Sequence, residues 1–498
     1  MGRTVLLQDR FTGVKQDLPR DQLPAGSLWY ATDMLPSINA KLRERGGYSY
    51  ASANIAAVVA TASYVIGGIH APFVAASKNC VIDEDGNLVT VADDVTITDA
   101  GVFSGGAVTD VGAFVIVSQN PVFHRDKVIA FAAGGATAPK KYTGSAISAL
   151  GGSPPNAIYA TVFTDRTVAG RTTAQPQRLY FSAAGNPESW DTTNSYIDLT
   201  YPITGLASLR TAILIFHDGY VSRIRGYTPP TVAGGSGDFA VDDPIWNVGC
   251  SDARSIAYWG DQIIFADGEG IYTTDGAGVD DLTRRCGMKR YWQNTIMAGY
   301  TSKVGSIAGG VLRDHYIITV INGINTFQGG AVIDLRNLAW WPITNLDFTS
   351  MWSKQAAVDE LYAGRRGAAR IASLASIFVP AASVRNDGDG DVVAGTVETP
   401  YYRGKPGEKG WRRLFLTHYL ADYATDNPTV AVSYVKTPEA TSYAAITGSL
   451  TENTAEDRKP KSLGFSSDGV AFKLTRANAG DWRLSSIEAD VHTREGSR

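Results

Sequence analysis

Three cysteines in 498 residues, Cys80, Cys250 and Cys286, are too few and too scattered for a disulfide framework or a CxxC metal site. Histidine is equally sparse. His70, His124, His217, His315, His418 and His492 stand apart, with no HExxH and no metal-ligand spacing. There is no GxSxG nucleophile elbow, no Walker A and no GxGxxG; Gly234 to Gly237 reads as a loop rather than a phosphate cradle. The Asp-box repeat of sialidase-like propellers is missing, and Ser466-Ser467-Asp468-Gly469 is only a fragment of it. The sequence therefore names no catalytic, cofactor-binding or metal-binding residue, and the chain is expected not to be an enzyme.

Charge is also scarce. Charged residues make up 19% of the chain, against about 25% in an average soluble domain. A surface covered by neighbours has that composition, because charge is depleted at interface cores. The net charge of −4 argues against a dedicated nucleic-acid binder. It permits a channel that nucleic acid passes through, since a transit lumen should not grip phosphates. The opening residues, MGRTVLLQDRF, contain no apolar h-region, and apolar runs such as Ile55 to Ile66 are short and interrupted. No signal peptide or membrane helix is expected, and folding in a reducing cytoplasm is.

What the chain has is turn chemistry between short apolar runs, with 52 glycines and 23 tyrosines. Residues Arg178 to Tyr227 show it best. Leu179-Tyr180-Phe181 is a strand, broken by Gly185-Asn186-Pro187. Ala212 to Phe216 is a buried run, Asp218-Gly219 a tight turn, and Tyr220 to Ile224 the returning strand. Similar hairpins recur at Val81/Leu88 across Asp85-Gly86-Asn87, at Phe114 to Val117 with Val122-Phe123, and at Val128 to Phe131 with Lys141-Tyr142. Ser255 to Tyr272 holds two more turns, and Val311 to Val320 reads as a strand turning near Asn322-Gly323 before Ala331 to Asp334 and Trp340-Trp341. The spacing is several tens of residues, without a crisp repeat.

Helical periodicity is confined to Thr32 to Leu42 and to an Ala-rich piece around Ala368 to Ile377 that also fits a strand. The polar stretch Ser383 to Asp391 reads as a boundary. Beyond it, Trp411 to Tyr419, Thr429 to Lys436, Val470 to Arg476 and Ile487 to His492 are strands. The expected fold is all-β: a β-propeller of about six blades with a short N-terminal helix over residues 1–390, then a β-sandwich over 391–498.

Three stretches resemble one family. The first is Leu23-Pro24-Ala25-Gly26 with Arg45-Gly46-Gly47-Tyr48. The second is Tyr180-Phe181-Ser182 with Asn186-Pro187-Glu188-Ser189-Trp190, continuing into Ile203-Thr204-Gly205-Leu206 and Ile215-Phe216. The third is Gly395 to Leu416, with Lys409-Gly410-Trp411-Arg412-Arg413-Leu414. Together they resemble the β-propeller tail-hub and nozzle proteins of short-tailed bacteriophages. The resemblance implies a structural virion protein assembled in the host cytoplasm. Several copies, a hexamer in expectation, would ring the DNA exit channel, retain packaged double-stranded DNA and gate its ejection. Portal and adaptor proteins and tail fibres would be its partners, with no membrane and no cofactor. A tail or baseplate component of a long-tailed phage shares the fold.

The competing class is a soluble glycan-binding or glycan-degrading propeller, using Trp190, Trp246, Trp259, Trp340 or Trp341 as sugar platforms. Carboxylates brought together from distant strands would serve hydrolysis. Asp387, Asp389, Asp391 and Glu398 match positions 1, 3, 5 and 12 of a calcium loop, but Val392 stands where its glycine belongs and no helices flank it. A polar interdomain turn is the plainer reading. The basic stretch Gly404 to Arg413, and the pairs Arg365-Arg366 and Arg284-Arg285, suit either phosphate contact or a solvated hairpin. Trp190-Asp191 is a lone WD dipeptide without the repeat that would make it a signature.

Overall fold

Glycine, β-branched residues and turn pairs at this density specify short antiparallel strands, and these dominate the regular structure; the longest helical stretch among the described residues runs through Leu282–Cys286, Lys289–Tyr291 and Trp292–Ile296. The computed structural model describes the whole chain except residues 1, 9, 37–41, 46–48, 53, 60–63, 93–95, 98–102, 105–107, 299–305, 323–325, 355–359, 366–369, 376, 379–392, 394, 404–407, 421–428, 441, 447–449, 452–455, 477–481 and 494–498.

Between residues 49 and 373 the strands form antiparallel meanders. The first sheet is Val65–Ala71, Lys78–Asp83, Asn87–Ala92 and Val108–Ala113. The second is Val122–Phe123, Val128–Ala130, Lys140–Tyr142 and Ile147–Ala149. The third is Ala157–Phe163, Arg166–Thr172 and Arg178–Ala183, whose far edge is shared by Asn186–Trp190 and Tyr196–Asp198. The fourth is Ile203–Ser208, Ala212–His217, Val221–Arg225 and Ala240–Trp246. The fifth is Ala257–Trp259, Gln262–Ala266, Ile271–Thr274 and Val279–Asp281. The sixth is Ser306–Leu312, His315–Asn322, Thr326–Asp334 and Ala339–Ile343. The seventh is Phe348–Ser353, Leu361–Arg365 and Ile371–Ser373, completed by Ser49–Tyr50 from the start of the chain.

The all-β expectation therefore holds, with seven such sheets among the described residues where about six repeats were expected. The seventh escapes a linear reading because its fourth strand lies some 320 residues away from its third, 371 − 50 being 321. Two local expectations also fail. Phe114 to Val117 is not a strand; Phe114, Val115 and Val117 are instead buried between the first two sheets. Val311 to Val320 is two strands, because the chain turns at Arg313-Asp314, with Arg313 at φ 55°.

The first strand of each sheet lies against the next sheet, that of the fourth through the turn Ala253–Ser255 leading into the fifth, and the seventh lies against the first. Such close approach demands small residues. A Cβ on Gly68 would sit 2.7 Å from the Trp352 ring, and one on Gly310 would sit 2.7 Å from Leu361 and 3.0 Å from Met351. Between successive sheets, aromatic rings fill the space: Phe181 meets Phe239 at 5.0 Å and Phe216 meets Phe265 at 4.8 Å.

Apart from two short pairs, Gly13–Val14 with Ser27–Leu28 and Thr96–Ile97 with Phe103–Ser104, the remaining strands form two larger sheets. In one, Glu408–Leu420 lies between Glu456–Ser466 and Trp482–Thr493. The far side of Trp482–Thr493 is shared by Gly2–Gln8 and Leu42–Glu44, with Met34–Pro36 beyond. The other contains Tyr30–Thr32, Thr396–Glu398, Gly469–Arg476, Thr429–Val435 and Ala444–Ala445. Strand pairing thus joins residues 2–44 to residues 396–493 rather than to the meanders that follow them. The helix expected over Thr32 to Leu42 is replaced at its described residues by strands Tyr30–Thr32, Met34–Pro36 and Leu42–Glu44. A pairing partner more than 350 residues away outweighs local helix propensity there. A bulge between Trp411 and Arg413 buries Trp411 and leaves both Arg412 and Arg413 facing solvent.

These two sheets pack on the outer strand of the sixth sheet, and one core cluster runs through all three. Trp340 and Trp341, on opposite faces of Ala339–Ile343, are both buried as a result. A charged pin fixes the junction. Arg45 Nε donates to Asp33 Oδ1 at 2.7 Å and Arg45 Nη2 to the Thr344 carbonyl at 3.0 Å, while Thr344 N donates to Asp33 Oδ1 at 3.0 Å. The two side chains are 1% and 3% exposed.

Two outcomes follow from this packing. Gly68→Ala should lose about 1–3 kcal/mol of stability in urea unfolding, through overpacking against Trp352. Arg45→Met should lose about 3–5 kcal/mol by leaving Asp33 buried without its cation, and Arg45→Met/Asp33→Asn should recover much of that loss. A double variant as unstable as Arg45→Met would show that the pin acts by shape rather than charge.

Candidate functional site

The inner strands of all seven sheets converge on one cavity of 660 Å³. Its wall takes Gly68 and Ile69 from the first sheet, Gln119 to Val122 from the approach to the second, and Ala160 and Thr161 from the third. Leu206, Ala257 to Trp259, Gly309 to Val311 and Met351 to Ser353 complete the circuit. Glycine and alanine recur because the strands crowd together at the axis. Their absent side chains leave the space.

Polar bonds hold the wall in shape. Asn120 Oδ1 accepts from Gly68 N at 3.2 Å, and its Nδ2 donates to the Met351 carbonyl at 2.7 Å. Gln119 Nε2 reaches the Leu206 carbonyl at 2.9 Å. Two adjacent amides therefore tie four sheets together. On the other side, Thr161 Oγ1 donates to Ser208 Oγ and Ser208 N donates to Tyr258 Oη, both at 3.2 Å. Tyr258 is 50% exposed, and Trp259 Nε1 donates to Asp314 Oδ1 at 3.2 Å.

Outside the cavity, ionisable groups are used between sheets. Glu188, in the Asn186-Pro187-Glu188-Ser189-Trp190 stretch, pairs with Lys141 of the second sheet, lies 3.8 Å from Lys127, and accepts from Gly151 N at 3.1 Å. The Lys141 ammonium holds its carboxyl below the usual range. Trp190 Nε1 returns to the Pro187 carbonyl at 2.8 Å and fixes the turn. This stretch is a clasp, not a pocket.

Two histidine relays have the outline of catalytic machinery without its access. His124 bonds Thr167 Oγ1 at 2.8 Å and Asp165 Oδ1 at 3.1 Å, but Thr167 is fully buried. Arg125 also pairs with Asp165 and, with His124, lowers its pKa. His217 contacts Ser222 Oγ at 2.9 Å, which donates to Asp243 Oδ1 at 2.5 Å; His217 and Ser222 are both fully buried. No substrate reaches either hydroxyl, so each relay serves as an internal strut.

The residues singled out in the sequence are dispersed. Asp387, Asp389 and Asp391 lie outside the described residues, while Glu398 pairs with Lys473 at 3.1 Å and accepts from Tyr443 Oη at 2.5 Å. Gly404 to Gly407 and Arg366 also lie outside them. Arg365 is buried against Asp347, and Arg284 and Arg285 pair with Asp281 and Asp280. Of the tryptophans proposed as sugar platforms, Trp340 and Trp341 are buried, Trp190 and Trp246 pack at sheet edges, and Trp259 alone lines the cavity. Among the described residues no cluster of three or more His, Cys, Asp or Glu is placed to hold a metal ion. The cavity itself was missed, because its wall is drawn from seven sheets and its commonest residue is glycine.

Burial pushes the pKa of His217 below the ordinary 6.5, and the same cause acts on His315. The unfolded chain then holds these protons more tightly than the folded one. Stability should be flat above about pH 6.5 and fall as pH drops below it, by up to about 1.4 kcal/mol per pH unit for each histidine. Urea unfolding between about pH 5 and 8 reads the slope. His217→Gln should make it shallower, and an unchanged slope would refute this origin.

No family model and no curated protein matches the chain. Among solved structures, a chain of the crystal structure of BBS1N in complex with ARL6DN is similar over 66% of this chain and 97% of its own, at 12% identity and a TM-score of 0.39. A likeness at that level carries no conclusion about partner or activity.

Proposed function

We propose that the seven meander sheets close as a seven-bladed β-propeller, that the two larger sheets form a β-sandwich drawn from both chain ends, and that the protein is a structural component of a bacteriophage tail. In this reading it is the hub or nozzle. Copies in a ring surround the DNA exit channel, retain packaged DNA and release it on infection.

One observation supports this reading above the others. The three stretches that resemble tail-hub proteins fall at mechanical junctions. Arg45 pins the two large sheets to the sixth meander, Glu188 clasps the third to the second, and Trp411 to Leu416 lies in a strand of a large sheet that is paired on both sides. Of their described residues only Leu206 borders the cavity. A family defined by its joints suits a machine part that transmits load.

The cavity bears on where DNA would pass. A volume of 660 Å³ holds only about twenty waters. A duplex would have to run between copies, not through one. The low charge content of 19% suits broad heterologous contacts between those copies.

Quantitative mass spectrometry of purified virions from the source of this gene tests the proposal. The hub reading expects about six copies per portal ring, as a closed cyclic assembly around that axis would supply. A few copies on a long tail would move the protein to a baseplate. Absence from virions would overturn the reading and leave glycan screening as the next step.

A further inference from the structure

The charged side chains lining the axial cavity are both cationic. Arg313 follows the inner strand of the sixth sheet, and Lys354 follows that of the seventh. No aspartate or glutamate is among the described lining residues, although acidic residues outnumber basic ones in the chain, 49 to 45. Arg313, Ser353 and Lys354 sit where the inner strands end, beside Tyr258, Trp259 and Gly260. Asp314 and Glu360 reach the same mouth through Trp259 and Lys354, and with Arg336 on Asp314 the cations there still outnumber the acids. Deeper in, the wall is Ile69, Val122, Leu206, Ile256 and Met351. This division of chemistry, apolar inside and cationic at the rim, selects for an amphipathic anion. The volume of 660 Å³ falls within the ~300–1,000 Å³ of small-molecule sites. The amides of Gln119 and Asn120 and the hydroxyls of Thr161 and Tyr258 already brace the wall, so little ordering cost remains at binding.

We propose that the axial cavity binds a small organic carboxylate, with its apolar or aromatic body inside and its carboxylate at the mouth between Arg313 and Lys354. Tyr258 and Trp259 flank the bound group and exclude water from it. Lys354 Nζ lies 3.3 Å from Glu360 Oε2, so a ligand carboxylate competes with Glu360 for that ammonium. The proposal does not rest on the tail-hub reading.

Titration calorimetry on the full chain tests it, with hydrocinnamate and benzoate as probes. Hydrocinnamamide, of the same shape without charge, and phenylpropylamine, of opposite charge, are the controls. Hydrocinnamate should bind saturably and the amide about tenfold more weakly, as expected when a charge-assisted bond is replaced by a neutral one. The amine should not bind. Arg313→Gln and Lys354→Gln should each weaken hydrocinnamate by about tenfold. Val311→Phe should occlude the cavity. Glu360→Gln should tighten binding by freeing Lys354, a result that a merely structural role for Glu360 would not produce. Unchanged melting temperatures in these rim variants would exclude unfolding as the cause of lost binding. The proposal is overturned if neither carboxylate binds saturably, if the amide binds as well as the acid, or if Arg313→Gln/Lys354→Gln binds like wild type.

Discussion

A circuit of sheets is only as strong as the place where its last member meets its first. Here that place is fixed by several unlike interactions at once. The Trp352 ring packs where a side chain on Gly68 would otherwise stand, and its Nε1 donates to Asn79 Oδ1 at 3.1 Å. Thr349 Oγ1 donates to the Val65 carbonyl, and Asn120 spans from Gly68 to Met351. Ser49–Tyr50 then adds the fourth strand of the seventh sheet, directly before the chain enters the first. Arg365 Nη1 donates to Tyr50 Oη at 2.8 Å and helps hold that strand. The borrowed strand and the tryptophan seam therefore meet in the seventh sheet, whose inner strand lines the cavity.

Much of the local structure was legible in the sequence. The hairpins at Asp85-Gly86-Asn87, Asp218-Gly219 and Gly260-Asp261 lie where turn chemistry put them, because two residues with the right backbone preferences suffice to reverse a strand. The turn at Arg313-Asp314 was not legible, since arginine at φ 55° carries no turn signal of its own. Phe114 to Val117 looked like a strand because a buried connector and a buried strand share one apolar signature. The N-terminal strands were hidden for a different reason. Their partners lie near the C-terminus, and no local window contains both sides of such a pair.

The site was less legible than the fold. Arg45 and Glu188 stand in two of the stretches singled out in the sequence, but nothing in the residue pattern says that one is a buried pin and the other a clasp. The cavity left no trace at all. Gly68, Ala160, Leu206 and Gly310 are ordinary strand residues until seven sheets bring them to one axis. A residue gains a role there by position rather than by type, so residue types alone could not announce it.

The sparse charge of the chain is spent unevenly, and this separates joint from cavity. Lys141 with Glu188, Arg223 with Asp242, Arg254 with Asp252 and Arg45 with Asp33 are all partly or wholly shielded from water. Exposed ion pairs contribute about 0–1 kcal/mol, but shielded ones cost far more to break, so those that span two strands or sheets act as directional locks between them. Asp252 shows the pattern: it binds Arg254 beside the fifth sheet and accepts from Ile307 N of the sixth at 3.1 Å. At the cavity mouth the arrangement changes: Arg313 and Lys354 line the wall, and the neighbouring carboxylates, Asp314 and Glu360, reach it through Trp259 and Lys354. None of the carboxylates that lock sheets together lines the cavity, so the chemistry of whatever enters is set by the cations at its rim.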